Sequence, residues 1–411
     1  MMAWTTPCEV APMRILLVTT GLKVGGAELQ VAALARSFLA FGHTVAILSL
    51  SAGQEVKLPA GAYVIELNMR KTPAGLLRAL WQARKLVKSW QPDVIHAHMV
   101  HANLFSRVLT RIVRCPPLVC TAHSFREGGA LRMLAYRLTD RWTNLTTHVS
   151  NDGRNGMIGA GGVPAKRIVV IPNGIDVDRF HPDSALRQAT REHLGIGPDS
   201  RLVLTVGRLV PEKAHDLLIR GFAQLDLGLT AHLMIAGTGV LQQALATRIA
   251  ELDQVSRVTL LGQRDDIPAL LNAADVFVLS SNIEGLPMVL VEALACGCAA
   301  VATSAPGVTE VLRDQGTIVP RGDVTALADA IAAALREGRG TSAQVTERRE
   351  RVLSSFSIEA IAQRWLTLYS TLASGASAPH VDSGSQPVAG HSLSWHGRRA
   401  DSDSDSGSGS H

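Results

Sequence analysis

Short apolar runs alternate with amphipathic stretches along most of this chain. Arg14 to Thr20 and 45–49 are apolar runs, and 62–67, 93–97, 117–121 and 145–149 are further strand candidates. Continuous rather than alternating hydrophobicity predicts strands of a parallel sheet covered on both faces. Between them lie stretches of helical period. Ala27 to Phe41 places Leu29, Ala33, Leu34 and Phe38 on one predicted face. Ile168 to Phe180 is a strand followed by the turn residues Pro172, Asn173 and Gly174. Residues 183–200 form a polar connector with a short helix. A second alternation follows, with strands predicted at 202–206, 231–236, 257–261, 276–280, 299–303 and 317–319. Ser357 to Leu372 is a last helix with Ile361, Trp365 and Leu368 on one face.

Strands alternating with helices, twice over, predict an α/β fold of two Rossmann-like parallel-sheet domains facing a cleft at their strand C-terminal ends. The expected division is a flexible leader at 1–12, a first domain at 13–182, a second at 183–356, a helix at 357–372 and a tail at 373–411. That tail is rich in Ser, Gly, Asp and His and ends DSDSDSGSGSH. It buries too little to fold and is expected to be disordered.

Composition narrows the class. The chain has 411 residues, 46% hydrophobic and 18% charged, enough for two sizeable cores. No run approaches the ~18 apolar residues of a membrane-spanning helix, and no basic segment precedes the first apolar run as a secretory signal requires. Five cysteines, at 8, 115, 120, 296 and 298, have no framework spacing and are expected as reduced thiols of a cytoplasmic protein. The net charge of +5 is unevenly placed. Residues 1–175 hold 20 Lys/Arg against 8 Asp/Glu, a balance of +12, and residues 176–411 hold 20 against 27, a balance of −7. Such asymmetry points to different partners for the two halves.

The most informative stretch is Asp275 to Ser304, DVFVLSSNIEGLPMVLVEALACGCAAVATS. It reads as strand, polar break, helix with Pro287 at its first position, Gly297 as C-terminal stop, and strand again. This unit carries Glu284 at the strand–helix junction and Glu292 inside the helix. Eight residues of helix span about 12 Å. A carboxylate accepts hydrogen bonds from a vicinal diol, so two at this spacing suit the two ends of a nucleotide sugar. The helix N-terminus between them, with the N–H groups of Gly285 and Leu286, offers positive potential to a diphosphate.

Other loops add to this. Gly25, Gly26 and Glu28 stand between the first strand and helix, where glycine lets backbone approach a phosphate or an acceptor; a tight turn explains them as well. The absence of Gly-x-Gly-x-x-Gly there counts against a dinucleotide site. Arg208 and Lys213 follow the strand at 202–206, and such cations bind phosphate oxygens, although two surface cations are the plain alternative. His123 ends the run VCTAHSF. Gly237-Thr238-Gly239 and Gly262 to Ile267, with Arg264, end two further strands; Arg264 has Asp265 and Asp266 beside it as simple ionic partners. His96-Ala97-His98 is read as alternating on a strand end, its imidazoles on opposite faces, which argues against a metal site there.

These motifs, in this order, resemble the retaining glycosyltransferases of family 4. The shared elements are G-G-A-E near the start, G-R-x-x-x-x-K at Gly207 to Lys213, G-x-x-x-D-I at 262–267, and E-x7-E at Glu284 to Glu292 in the setting S-x-x-E-G-x-P. The resemblance covers roughly residues 14–372. It departs from the pattern at Ala214, where the family usually has Gly, and at Pro306, which replaces the first Gly of a G-G-x-x-E segment ending at Glu310. It implies the GT-B architecture, with the last helix returning to the first domain. It also implies metal-independent transfer, with retention, of a sugar from a nucleoside diphosphate donor, with UDP the expected nucleotide. No cofactor is implied beyond that co-substrate. By the same resemblance Arg208, Lys213 and the helix behind Pro287 hold the diphosphate, Glu292 the ribose, Glu284 the sugar hydroxyls, and His123 faces the reacting ring. Gly25, Gly26, Gly237, Arg264, Gly285 and Leu286 line the donor.

The acceptor is argued from charge. Residues 70–90 form an amphipathic helix with Leu76, Leu80, Ala83 and Val87 on one face and Arg78, Trp81, Lys85 and Lys88 opposite. Arg107, Arg111 and Arg114 fall a turn apart on another. Such faces suit an anionic membrane surface and a lipid-linked or saccharide acceptor of cell-surface polysaccharide or lipopolysaccharide synthesis; a merely solvated helix face is the alternative. Nucleic acid is disfavoured, since the sequence carries no known nucleic-acid-binding module. Two rivals stand beside transfer. A nucleotide-sugar 2-epimerase yields epimerised donor, and a non-catalytic binding module releases no nucleoside diphosphate.

Overall fold

The first half runs β1 (Arg14–Thr19), α1 (Gly26–Ala40), β2 (Thr44–Ser49), β3 (Tyr63–Glu66), α2 (Pro73–Trp90), β4 (Val94–His98), α3 (Val100–Ile112), β5 (Leu118–Ala122), α4 (Ala130–Thr139), β6 (Leu145–His148), α5 (Asn151–Gly159) and β7 (Ile168–Val170). The second runs α6 (Ser184–His193), β8 (Arg201–Val206), α7 (His215–Ala223), β9 (Ala231–Ala236), α8 (Gln242–Glu251), β10 (Val258–Gly262), α9 (Ile267–Ala273), β11 (Val276–Leu279), α10 (Met288–Ala295), β12 (Ala299–Thr303), α11 (Val308–Leu312), β13 (Thr317–Val319), α12 (Val324–Glu337) and α13 (Ser342–Phe356), and α14 (Ile358–Ala373) closes the chain. This computed structural model describes residues 11–23, 25–124, 128–225, 228 and 230–375. The expected leader, up to residue 10, and the expected tail, from 376, lie outside the described residues.

Both sheets are wholly parallel. The first has seven strands in the order β3-β2-β1-β4-β5-β6-β7, the second six in the order β10-β9-β8-β11-β12-β13. Each therefore reverses its winding once, between β1 and β4 and between β8 and β11. Loops leaving the C-terminal ends of those strands diverge and leave a crevice.

Strand parity sorts the first core. Ile15, Leu17, Val45 and Ile47 pack under α1 and α14, while Leu16, Val18, Ala46 and Leu48 pack under α2 and α3. The last helix thus returns to the first sheet, burying Ile361, Trp365 and Leu368 as the sequence predicts. The chain passes between the halves twice, and the passages are tied together. Ile175 N–H donates to Phe356 O at 2.8 Å, and Ile358 N–H donates to Ile175 O at 2.8 Å.

Three expectations about helix faces are corrected. Leu29 is 52% exposed, and Val31, Leu34, Ala35 and Phe38 carry the contact instead. Leu76 is likewise exposed, and Ala79 takes its place beside Leu80, Ala83 and Val87. Arg107 is no surface cation. It is fully buried between α3 and α4, donating to Tyr136 O at 2.9 Å and Thr146 Oγ1 at 2.8 Å, with its guanidinium 4.7 Å from the Tyr136 ring. Arg111 remains exposed, and Arg114 lies beyond the end of α3.

Candidate active site

The second sheet's reversal gathers the charged candidates. Arg208 and Lys213 follow β8; Glu284 follows its neighbour β11. Lys213 Nζ donates to Glu284 Oε1 at 2.6 Å, the two side chains being 20% and 10% exposed. Two backbone ties fix the loops that carry them. Ser280 Oγ donates to Lys213 O at 2.9 Å, and Asn282 N–H donates to Glu212 O at 2.8 Å. The Arg208 side chain is exposed and has no hydrogen bond or ion pair among the described residues. Its loop is held from the other side, where Gly207 N–H donates to Ala236 O and Gly237 N–H to Gly262 O, at 2.9 and 2.7 Å. Gly237 has φ +143°, and a Cβ there would sit 2.0 Å from Gly207 O, so only glycine fits this junction.

Ala214 stands where the resemblance leads one to expect glycine. It adopts φ +48° and ψ +41°. An alanine in the left-handed region costs roughly 1–2 kcal/mol. The turn after Lys213 thus holds a non-glycine residue in the left-handed region, at a cost in strain.

Glu284, Gly285 and Leu286 lead into α10. Pro287 is the residue before the helix, not its first residue. Its ψ of +86° is not helical, and α10 begins at Met288. Cys296 caps the other end, and Gly297 follows with φ +77°. Glu292 lies one turn in, partly buried, its carboxylate without a hydrogen bond among the described residues. Burial raises its carboxyl to about 7, against an opposing pull from Arg179. A carboxyl desolvated without a protein partner is ready for one from a ligand.

Arg264 is accounted for within its own loop. Its Nε and Nη2 donate to the two Asp266 oxygens at 2.8 and 2.6 Å. The ionic alternative fits this geometry. Glu310 faces the first half rather than the crevice, accepting from Asn151 N–H at 2.7 Å and Asn151 Nδ2 at 2.5 Å. Gly307 N–H donates to Asp152 Oδ2 at 2.8 Å beside it. The N-terminus of α5 is thus clasped by the β12–α11 loop and the start of α11. Burial raises the Glu310 carboxyl, with the Asn151 bonds acting against it.

On the facing side, Gly25 precedes α1, and Gly26 opens it. His123 follows β5. A Cβ on Gly285 would lie 2.2 Å from His123 O, so the two loops touch through backbone. The His123 imidazole is driven down to about 3 by burial, with His148 adding to the effect, so it is neutral. Its Nε2 lies 3.0 Å from His98 Nδ1.

The reading of His96 and His98 as facing apart is wrong. Residues two apart on a strand share a face, and the two rings lie with centroids 3.9 Å apart. His96 Nδ1 meets Tyr369 Oη at 2.5 Å and its Nε2 meets Thr121 Oγ1 at 2.6 Å. Among the described residues, no group of three or more His, Cys, Asp or Glu is placed to hold a metal ion. Cys115, Cys120, Cys296 and Cys298 are free thiols; Cys8 lies outside the described residues. Sequence reasoning missed His148 altogether. It accepts from Ser150 N–H at Nδ1, 3.1 Å, and so donates from Nε2 to Ser124 O, 3.1 Å, pinning the loop that carries His123. Its signal was its position at the end of β6, next to the end of β5.

Comparison with known proteins places this geometry. The family model for Glycosyl transferases group 1 matches residues 187–352, and that for Glycosyltransferase Family 4 matches residues 24–179. The chain is 27% identical over 270 residues to the UDP-Gal:alpha-D-GlcNAc-diphosphoundecaprenol alpha-1,3-galactosyltransferase of Escherichia coli, covering 62% of this chain and 69% of that one. It is 31% identical over 300 residues to the D-inositol 3-phosphate glycosyltransferase of Mycobacterium tuberculosis, covering 67% of this chain and 61% of that one. Its fold is that of Anabaena Alr3699/HepE in complex with UDP, with a TM-score of 0.77, 24% identity, and coverage of 87% of this chain and 100% of that one.

Proposed function

The chain belongs to the family 4, group 1 glycosyltransferases of GT-B fold and is a nucleotide-sugar glycosyltransferase; from that premise we propose that it transfers a hexosyl unit from a UDP-sugar, with retention and without a metal, to a lipid-linked or saccharide acceptor. The observation that carries the reading is the Lys213–Glu284 pair, with Arg208 exposed on the same loop as Lys213, beyond the second sheet's reversal. In the free protein the two charges satisfy each other. A donor offers each a better partner. The diphosphate takes Lys213 and Arg208, with the N-terminus of α10 and the Gly285 and Leu286 N–H groups behind it, and the sugar hydroxyls take Glu284. Glu292 accepts from the ribose diol. As the bond from the anomeric carbon to the diphosphate oxygen breaks, charge grows on the leaving group, where the cations already stand. The acceptor oxygen bonds the same face of the ring, and its proton leaves with the diphosphate. His123, neutral and held, lines the reacting sugar.

For the donor nucleotide and the acceptor class, the relatives supply the support: one acts on a diphosphoundecaprenol-linked sugar with UDP-Gal, and a structural neighbour is seen with UDP. The surface supplies more. α2, α3 and α4 lie side by side and contain no Asp or Glu, while Lys85, Lys88, Arg111 and Arg137 are exposed on them. Leu77, Trp81, Leu131 and Leu138 are exposed among these cations, at 68%, 53%, 83% and 63%. A cationic face studded with large apolar side chains fits an anionic lipid surface. The contact proposed is a peripheral one on the inner face of the plasma membrane; no helix of the described residues is long and apolar enough to cross a membrane.

A thermal-shift screen with UDP-, GDP- and ADP-sugars tests the donor: UDP-sugars raise the melting temperature, and a shift with only another nucleotide overturns that part. Flotation with vesicles containing phosphatidylglycerol tests the membrane part. The protein floats with them and not with phosphatidylcholine alone, and Leu131→Asp with Leu138→Asp abolishes flotation. Absence of binding to anionic vesicles favours a soluble acceptor.

A further inference from the structure

Two helix starts, one from each half, meet and exchange carboxylates. The first N–H groups of a helix have no partner inside it. At the start of α5, Asn151 N–H donates to Glu310 Oε2 at 2.7 Å and Asn151 Nδ2 to Glu310 Oε1 at 2.5 Å. At the start of α11, Gly307 N–H donates to Asp152 Oδ2 at 2.8 Å. Each half thus supplies the acid that caps the other half's helix. The sense of these bonds is fixed, because a backbone N–H only donates and an ionised carboxylate only accepts. Bonds to an ionised group are also the stronger kind. The two acids need them: burial first, and Asp152 behind it, raise the Glu310 carboxyl, while its bonds to Asn151 pull it back.

The exchange bears directly on the loop that enters α10. Gly307 has φ +78°, and a Cβ on it would lie 2.6 Å from Gly285 O and 3.3 Å from Pro287 Cδ. Gly307 therefore rests on the Gly285–Pro287 loop, and Gly285 rests on His123 O. From the first half, Ser150 caps α5 through Gly153 N–H at 3.2 Å, and its own N–H donates to His148 Nδ1 at 3.1 Å. His148 holds Ser124 O, next to His123, so the contacts close a ring through both halves. That ring is fastened to the passages between the halves. Arg351 Nη2 donates to Glu310 O at 2.7 Å, and the same guanidinium lies 5.2 Å from the ring of Phe356, whose carbonyl accepts from Ile175 N–H.

We propose that Asp152 and Glu310 are positioning residues for transfer: by capping each other's helices they hold the Gly285–Pro287 loop against the loop of His123 while the sugar passes between the halves. The inference rests on the reading of the Gly285 loop as the one that holds the diphosphate, and the tests separate the two. Asp152→Ala and Glu310→Ala each lower kcat about ten- to a hundredfold, as a misplacement near 1 Å does. The donor KM stays within about threefold, because the second half keeps its donor groups. Asp152→Asn, whose amide oxygen still accepts from Gly307 N–H, keeps kcat within about threefold of native. The double alanine variant is no slower than the slower single one, since either loss opens the same contact. Hydrogen exchange of the whole protein reads the loop itself. Asp152→Ala speeds exchange in the peptide holding Gly285 and Leu286, while β8 and β11 exchange as slowly as in the native chain. Losses that multiply in the double variant, equal loss in Asp152→Ala and Asp152→Asn, or unchanged exchange at Gly285 overturns the proposal. UDP added to the native chain slows exchange in that same peptide; no slowing overturns the reading of the loop instead, whatever the variants do.

Discussion

The two sheet reversals face one crevice and are built in opposite ways. At β1/β4 the side chains are neutral, buried and bonded to one another through His96, His98, Thr121 and Tyr369. Beyond β8/β11 they are charged, and Lys213 and Glu284 are joined by an ion pair, with Arg208 exposed on the same loop as Lys213. The difference assigns labour. Neutral, cross-braced groups keep a geometry when a ligand comes and goes, because no ligand charge competes for them. A charged pair at a rim exchanges partners, because a diphosphate outbids a carboxylate for a lysine. One half is built to hold still and the other to let go.

The comparison breaks first where the halves touch. Gly285→Ala puts a Cβ into His123 O, a backbone atom that cannot step aside. Transfer is expected to fall about a hundredfold, since a shift near 1 Å between reacting groups has that cost. Steady-state kinetics at saturating donor measures it, and near-native kcat shows the halves need no such contact.

Glu292 gives the next effect, through pH. Its carboxyl rises from 4.5 to about 7 in the fold. Below about 4.5 its contribution to stability is complete, and it is lost as pH climbs through 7. Donor binding runs the other way, because the ribose diol needs the carboxylate as acceptor. Affinity for the donor therefore increases, by up to about tenfold, between pH 6 and 8, and Glu292→Gln flattens both trends in paired titration calorimetry and thermal melts. An unchanged slope in the variant removes Glu292 from the ribose.

The smallest effect is local. Ala214→Gly relieves the left-handed strain but loosens the unfolded chain, for a net gain of about 0.5–1 kcal/mol. A melting temperature that stays put or falls means the Lys213 turn is set elsewhere.

Much of this was readable beforehand, and the residues explain which parts. Strands β9, β12 and β13 lie at 231–236, 299–303 and 317–319 as expected, because continuous apolar runs between polar breaks have few other solutions. Glu284, Gly285 and Pro287 sit at the strand–helix junction for the same local reason. What sequence hid was pairing at a distance. Lys213 and Glu284 meet across 71 residues, and Arg107 turns inward because Tyr136 and Thr146 await it, which helix spacing on α3 alone does not reveal. The two histidines of β4 were misread by a fault of period, and that fault concealed their contact. Glu310 showed in the sequence only as the end of a motif, because its clasp on Asn151 is tertiary.

The account turns on fixed cations and amides, rather than a metal, stabilising the departing diphosphate. The direct measurement is sugar transfer, read as nucleoside diphosphate released from the intact enzyme in excess chelator, for the native chain and for Arg208→Ala with Lys213→Ala. Two charge-assisted contacts at the leaving group predict unchanged turnover in the native enzyme and a loss of about a thousandfold or more in the double variant. Abolition of native turnover by the chelator, or survival of turnover in the variant, contradicts it.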